Sequence, residues 1–130
     1  GLQGARAFMA RGTLGREAIA INVNLDMVAR GDRGEIFIAG LHHTPSLRPI
    51  LEPVAARAAI RVRFGHDRPG SGDDDWTLQS DHGVFHEAGV PFVYFGVEDH
   101  PDYHQPGDTA DKINAAFFAQ AAAVVLDALR

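Results

Sequence analysis

The sequence predicts an α/β domain of three layers, with helices on both faces of a mostly parallel sheet. Short runs rich in Ile, Val, Leu and Phe alternate along the chain with stretches whose apolar residues recur at helical spacing. That alternation is the signature of strands joined by helical crossovers. Size and composition agree: 130 residues, 45% hydrophobic and 22% charged, suffice for one ordinary globular domain with its own core.

Residues 2–11 place Leu2, Ala5, Phe8 and Met9 at helical spacing, and Gly12 offers a C-terminal stop. The run AIAINVNLDMV over 18–28 lacks helical periodicity and reads as a strand buried on both faces, with Asp26 near its C-terminal end. After the turn residues Gly31 to Gly34, EIFIAG is a shorter strand expected to pair back as a hairpin neighbour. Thr44 and Pro45 open a helix to about residue 59, in which Pro53 removes one hydrogen bond and should kink the helix or move its start later. IRVRF alternates apolar and basic residues, as a half-buried strand does. Residues 65–80 carry no periodicity and read as loop. A short helix around Phe85 ends at Gly89, PFVYFG follows as another apolar strand, and 97–113 form a second polar loop. The last helix carries a wide apolar stripe through Phe117, Phe118, Ala121, Val124, Val125, Ala128 and Leu129.

Composition excludes several function classes. A formal charge of -5 gives no basic footprint for a nucleic acid. No apolar run approaches the roughly 20 residues that span a bilayer. With no cysteine, any metal must be held by His, Asp and Glu, so the seven histidines become the feature to explain. No signal peptide is visible, and a chain opening on Gly1 is expected to have been cut or processed.

Polar residues cluster in three places: NLDM at 24–27, SDH at 80–82 and EDHPDYHQPGDT at 98–109. The first and third follow strand ends, where α/β sheets collect ligands. Taken alone, Asp26 reads as a helix-capping or salt-bridged residue, although a carboxylate on a buried strand end must be paired or metal-bound. His104 alone reads as a surface loop histidine. His42 and His43 sit in a turn and are expected in solvent. Asp73, Asp74 and Asp75 read as a solvated charge run, since their spacing does not match a calcium loop. His66, His86 and His100 have no assigned role.

Together these segments resemble the di-zinc aminopeptidase family, the co-catalytic zinc exopeptidases that include leucyl aminopeptidases and glutaminyl cyclases. That family shows GLxGSxxF after a Glu-Glu pair, a strand ending in NLDM, then SDHxxFxxxGxP and a YHxxxDT loop before the last helix. This chain reads GLQGARAF, INVNLDMV, SDHGVFHEAGVP and YHQPGDTADKI in the same order, departing at Ala5 where Ser is common. The resemblance covers nearly the whole chain and implies the C-terminal half of a zinc-exopeptidase catalytic domain.

It further implies two zinc ions in the intact protein, with Asp26 ligating one and His104 the other, the remaining ligands and the general-base Glu lying upstream of Gly1. Two zincs about 3.5–4 Å apart would clamp a hydroxide and the scissile carbonyl of a peptide substrate. Tyr103 would direct its hydroxyl at the oxyanion, a packed structural tyrosine being the competing role. Asp81 and His82 would orient ligands or the substrate amine, with a helix N-cap competing for Ser80 or Asp81. The implied activity is removal of N-terminal residues from peptides. Glutaminyl cyclisation or a non-enzymatic binding domain on the same fold are its rivals. The chain alone is expected to be inactive and to self-associate through an uncovered sheet edge. Family resemblance favours an extracytoplasmic location.

Overall fold

The computed structural model describes residues 1–130. Four strands, β1 (Asn22–Leu25), β2 (Glu35–Ala39), β3 (Arg61–Phe64) and β4 (Phe92–Gly96), form one sheet in the order β1-β4-β2-β3. Four helices pack around it: α1 (Gln3–Arg11), α2 (Arg48–Arg57), α3 (His82–Glu87) and α4 (Ala115–Ala128). No helix is long and apolar enough to cross a membrane.

The pairings β1–β4 and β2–β3 are parallel, while β2 runs antiparallel to β4. The sheet is therefore mixed, and the expected β1–β2 hairpin does not form because β4 lies between them. Side-chain character explains the order. Every residue of β4 is buried, as suits a central strand covered on both faces, whereas β1 carries Asn22 and Asn24 and takes an edge. The expectation that β1 is buried on both faces fails accordingly: its residues are half-buried, and Leu25 is exposed. At the other edge, Arg61 and Arg63 of the half-buried β3 both donate to Glu35 of β2.

Strand alternation sorts the core into two faces. Ile36, Ile38, Val93 and Phe95 face α2 and α4, meeting Leu51, Val54, Phe117, Ala121 and Val124 in the main cluster. Ala39, Phe92 and Tyr94 face the other way, against Trp76, and α1 and α3 pack together beside them. A 3-10 turn at Pro45–Leu47 precedes α2, so the helix starts later than Thr44, and it continues through Pro53. Gly40 follows β2 with φ 115° and stands against Phe92, whose carbonyl oxygen would lie 2.4 Å from an added Cβ.

The β1 edge has an apolar hollow on each face. One is lined by Phe8, Ile19 and Phe85, the other by Ile50, Phe95 and Leu129, and Ile21 and Val23 border both.

Candidate metal centre

The parallel pairing of β1 and β4 brings their C-terminal ends to the same end of the sheet. Asp26 extends the ladder one residue past β1, its N–H donating to Phe95 O at 3.1 Å. Period-two alternation then puts Asn24 and Asp26 on the face shared with Tyr94 and away from α2 and α4. Gly96, two residues beyond Tyr94, must be glycine: an added Cβ would stand 2.3 Å from the Tyr94 hydroxyl.

A chain of hydrogen bonds runs from the interior to Asp26. Ser80 Oγ donates to Asp26 Oδ2 at 2.7 Å, and Asn24 Nδ2 donates to Ser80 Oγ at 3.0 Å. Asn24 Nδ2 also stands 3.1 Å from His82 Nδ1, while His82 Nε2 is 2.9 Å from Trp76 O. A carbonyl can only accept, so Nε2 carries the proton and Nδ1 accepts from Asn24. His82 is thus a neutral imidazole, fully buried between Phe92 and Tyr94. Burial holds its pKa below the ordinary value, against the opposing pull of the Trp76 carbonyl and Asp26.

Asp26 itself is exposed rather than buried, so its pairing with Ser80 orients the carboxylate and is not forced by desolvation. Asp81 occupies the N-cap position of α3 with no capping side-chain bond, and it is exposed. Within SDH, Ser80 is the residue that touches Asp26. Sequence reading assigned it only a capping role.

Tyr103 borders the same cleft as Asp26, together with Ser80, His82, Tyr94 and Asp99. Its ring stacks on that of His104, centroids 3.9 Å apart and planes 22° from parallel. Burial and the nearby carboxylates of Asp99 and Asp26 raise the Tyr103 pKa, keeping the phenol a donor. Burial likewise pushes Tyr94 up.

Only four non-glycine residues have positive φ, and two belong to this region: Met27, next to Asp26, at 59° and His104 at 55°. Left-handed backbone costs a branched or bulky residue free energy, and such strain persists where surrounding contacts over-determine it. No group of three or more His, Asp or Glu is arranged to hold a metal ion.

The remaining histidines divide by burial. His42 is exposed, but His43 is half-buried, its Nε2 2.9 Å from Thr77 Oγ1 and its ring 4.5 Å from that of His86. His66 is half-buried as a residue, but its side chain is only 7% exposed, stacked on Trp76 at 3.6 Å between the carboxylates of Asp74 and Glu98. Asp75 also leaves the solvated run, accepting from Thr77 N–H at 3.0 Å.

The profile of Peptidase family M28 matches residues 1–129. The chain belongs to peptidase family M28. Its fold is similar to an aminopeptidase from Aneurinibacillus sp. strain AM-1, with 28% identity, TM-score 0.74, and coverage of 99% of this chain and 30% of that one. A zinc aminopeptidase from Bacillus subtilis gives 25% identity and TM-score 0.70, covering 99% of this chain and 32% of its own. The LapA aminopeptidase of Legionella pneumophila, at 16% identity, TM-score 0.68, and coverage of 98% and 34%, shares the fold. This M28 chain thus spans about a third of the length of the solved structures it resembles. No curated protein matches its sequence.

Proposed function

We propose that this M28 chain is the C-terminal part of the catalytic domain of a zinc-dependent aminopeptidase, and that Asp26 and His104 are two of the ligands of its metal centre. One observation carries the reading: Asp26 and the stacked Tyr103–His104 pair stand at the C-terminal ends of adjacent parallel strands, with Asp26 and Tyr103 bordering one cleft. Zinc accepts carboxylate and imidazole, and this chain has no cysteine to offer in their place. The donor set fits: Ser80 occupies Asp26 Oδ2 and leaves Oδ1 to bind. Similarity to the zinc aminopeptidase of Bacillus subtilis supports the choice of metal. When bound, two zinc ions polarise the scissile carbonyl and lower the pKa of a bound water.

The chain's own residues supply orientation. The Trp76–His82–Asn24–Ser80 relay fixes the Asp26 carboxylate. Tyr103 directs its O–H toward the carbonyl oxygen on which charge develops, and Asp99, on the same wall of the cleft, attracts a substrate ammonium group. His82 acts through Asn24 and Ser80. Asp81, next to Ser80 in the chain, is assigned to orientation of the substrate or of a ligand. The general base lies outside these residues.

In the full-length enzyme, Asp26→Ala and His104→Ala should each reduce bound zinc and cut turnover of a leucine anilide at least a hundredfold, with the fold intact. His42→Ala should be near neutral. Unchanged zinc content in Asp26→Ala would remove that residue from the centre. The 130-residue chain alone should bind zinc weakly and turn over nothing, because it offers each of the two zincs one ligand where a catalytic zinc takes three from the protein. It should also self-associate through the β1 edge and its two apolar hollows. Light scattering beside calorimetric zinc titration tests both.

A further inference from the structure

The segment that carries His104 has little of its own to hold it. Between Gly96 and Ala110 it forms only turns, closed by Tyr103 N–H to His100 O at 2.9 Å, Gln105 N–H to Asp102 O at 2.8 Å and Asp108 N–H to Gln105 O at 3.0 Å. Residues 101–110 are exposed except Asp102. A loop of this kind takes its position from contacts with the rest of the protein.

Lys112 Nζ meets Asp102 Oδ1 at 2.6 Å from the loop's own end, and the contacts that reach both flanks of the pair converge on one guanidinium. Arg30 Nη1 donates to Asp102 Oδ2 at 3.0 Å and to Asp108 Oδ1 at 3.1 Å, while Nη2 reaches Asp32 Oδ2 at 3.3 Å. Asp102 immediately precedes Tyr103, and Asp108 follows His104 by one turn of chain, so the two anchors flank the stacked pair. Arg30 in turn lies on the segment that leaves Asp26. The Arg30 side chain is 13% exposed and Asp102 22%, against 48% for Arg48 and 59% for Arg57 in ordinary surface pairs. Shielding of this degree makes the Arg30–Asp102 pair stronger than a surface one, while Asp108, 43% exposed, keeps its contact open to screening by salt. A planar fork serving three carboxylates on two segments is a task suited to arginine.

We propose that Arg30 is a positioning residue for the metal centre: it sets where Tyr103 and His104 stand relative to Asp26 by gripping the loop on both flanks of that pair. The inference rests on reading Asp26 and His104 as zinc ligands. It gives the Arg30 cluster a role beyond stability, because a shift of the loop moves one ligand and leaves the other in place.

The test uses the full-length enzyme as wild type, Arg30→Met, Arg30→Lys, Asp108→Asn, the Arg30→Met/Asp108→Asn double variant and Asp26→Ala. Zinc retention against a graded chelator and the separate values of kcat and KM are read for each. Arg30→Met should weaken zinc retention and lower kcat about ten- to a hundredfold, the range for removal of groups that orient ligands, with KM changed less than about twofold. Arg30→Lys should recover part of both. Adding Asp108→Asn to Arg30→Met should cost nothing more, since the two residues act through one contact.

Wild-type zinc retention and kcat in Arg30→Met, alongside zinc loss in Asp26→Ala, would overturn the proposal while leaving the ligand reading intact. Zinc retained in Asp26→Ala would instead overturn the ligand reading, and this inference with it. If Arg30→Met does not fold, Asp108→Asn decides: a several-fold fall in zinc retention supports the proposal, and wild-type retention overturns it.

Discussion

Asp26 and His104 stand at the same end of the sheet and are held by different physics. Asp26 sits one residue past a strand, its carboxylate oriented by Ser80 at the end of a hydrogen-bond chain that reaches back to the fully buried His82. His104 rides on an exposed loop tied down by Arg30 and Lys112 through Asp102 and Asp108. A buried neutral network is rigid and indifferent to salt, and it fails when any member is left unpaired. An ionic tether on a loop responds to ionic strength and can lose one contact without collapse. Asp26 therefore stands on a fixed element and His104 on an adjustable one.

The sharpest way to break this contrast is His82→Leu. It strands the Asn24 donor and the Trp76 carbonyl in the interior, and should destabilise the protein by about 2–4 kcal/mol in urea unfolding. A loss below about 0.5 kcal/mol would mean the relay is not holding the fixed half. The pH dependence sharpens the point. Because burial lowers the imidazole pKa in the folded state, the stability His82 contributes is complete above about pH 6.5 and is lost as pH falls through the lowered value. Protonated Nδ1 can no longer accept from Asn24, so wild type should lose stability over that window and His82→Leu should lack the slope.

Gly96→Ala tests the same half from the sheet. Its Cβ meets the Tyr94 hydroxyl, and Tyr94 is packed between Trp76 and His82, so a cost of about 1–3 kcal/mol is expected. A neutral substitution would show that the Tyr94 ring is free to move.

Salt separates the halves directly. Between low ionic strength and 1 M salt, where the Debye length shrinks to about 3 Å, amide exchange at Gln105 and Asp108 should accelerate several-fold. Exchange at Val84, on the helix that carries His82, should not change. Equal responses would dissolve the distinction.

The smallest effect lies far from the centre, at Glu35. Arg63, with Arg61 behind it, holds the Glu35 carboxyl below its ordinary value in spite of burial. The stability it adds is present above about pH 4.5 and lost as pH falls through the folded-state value. Glu35→Gln should flatten the acid limb of a melting-temperature profile while leaving the Asp26–His104 region unaltered.

What the sequence could and could not reveal follows the same division between local and long-range. Helix ends were readable because Gly12 and Gly89 stop helices through their own left-handed backbone. Asp26 and His104 could be proposed as ligands because strand ends and motif order are local signals. The insertion of β4 between β1 and β2 was not, since it depends on which strand is apolar on both faces once all four compete. Ser80, Asn24 and Arg30 were missed for a related reason. Their partners lie between 54 and 78 residues away, and no spacing rule spans that distance. His43 looked like a solvent histidine and His66 had no role to read because their neighbours Thr77, Trp76 and Glu98 arrive from other segments.

The most direct test of the account is a crystal structure of the full-length protein with data collected on both sides of the zinc absorption edge. The account predicts anomalous density in the cleft bordered by Asp26 and Tyr103, with one zinc bonded at about 2.0–2.2 Å to an Asp26 carboxylate oxygen and a second to a His104 ring nitrogen. Zinc bound elsewhere, or in this cleft with Asp26 and His104 both outside bonding distance, would contradict it.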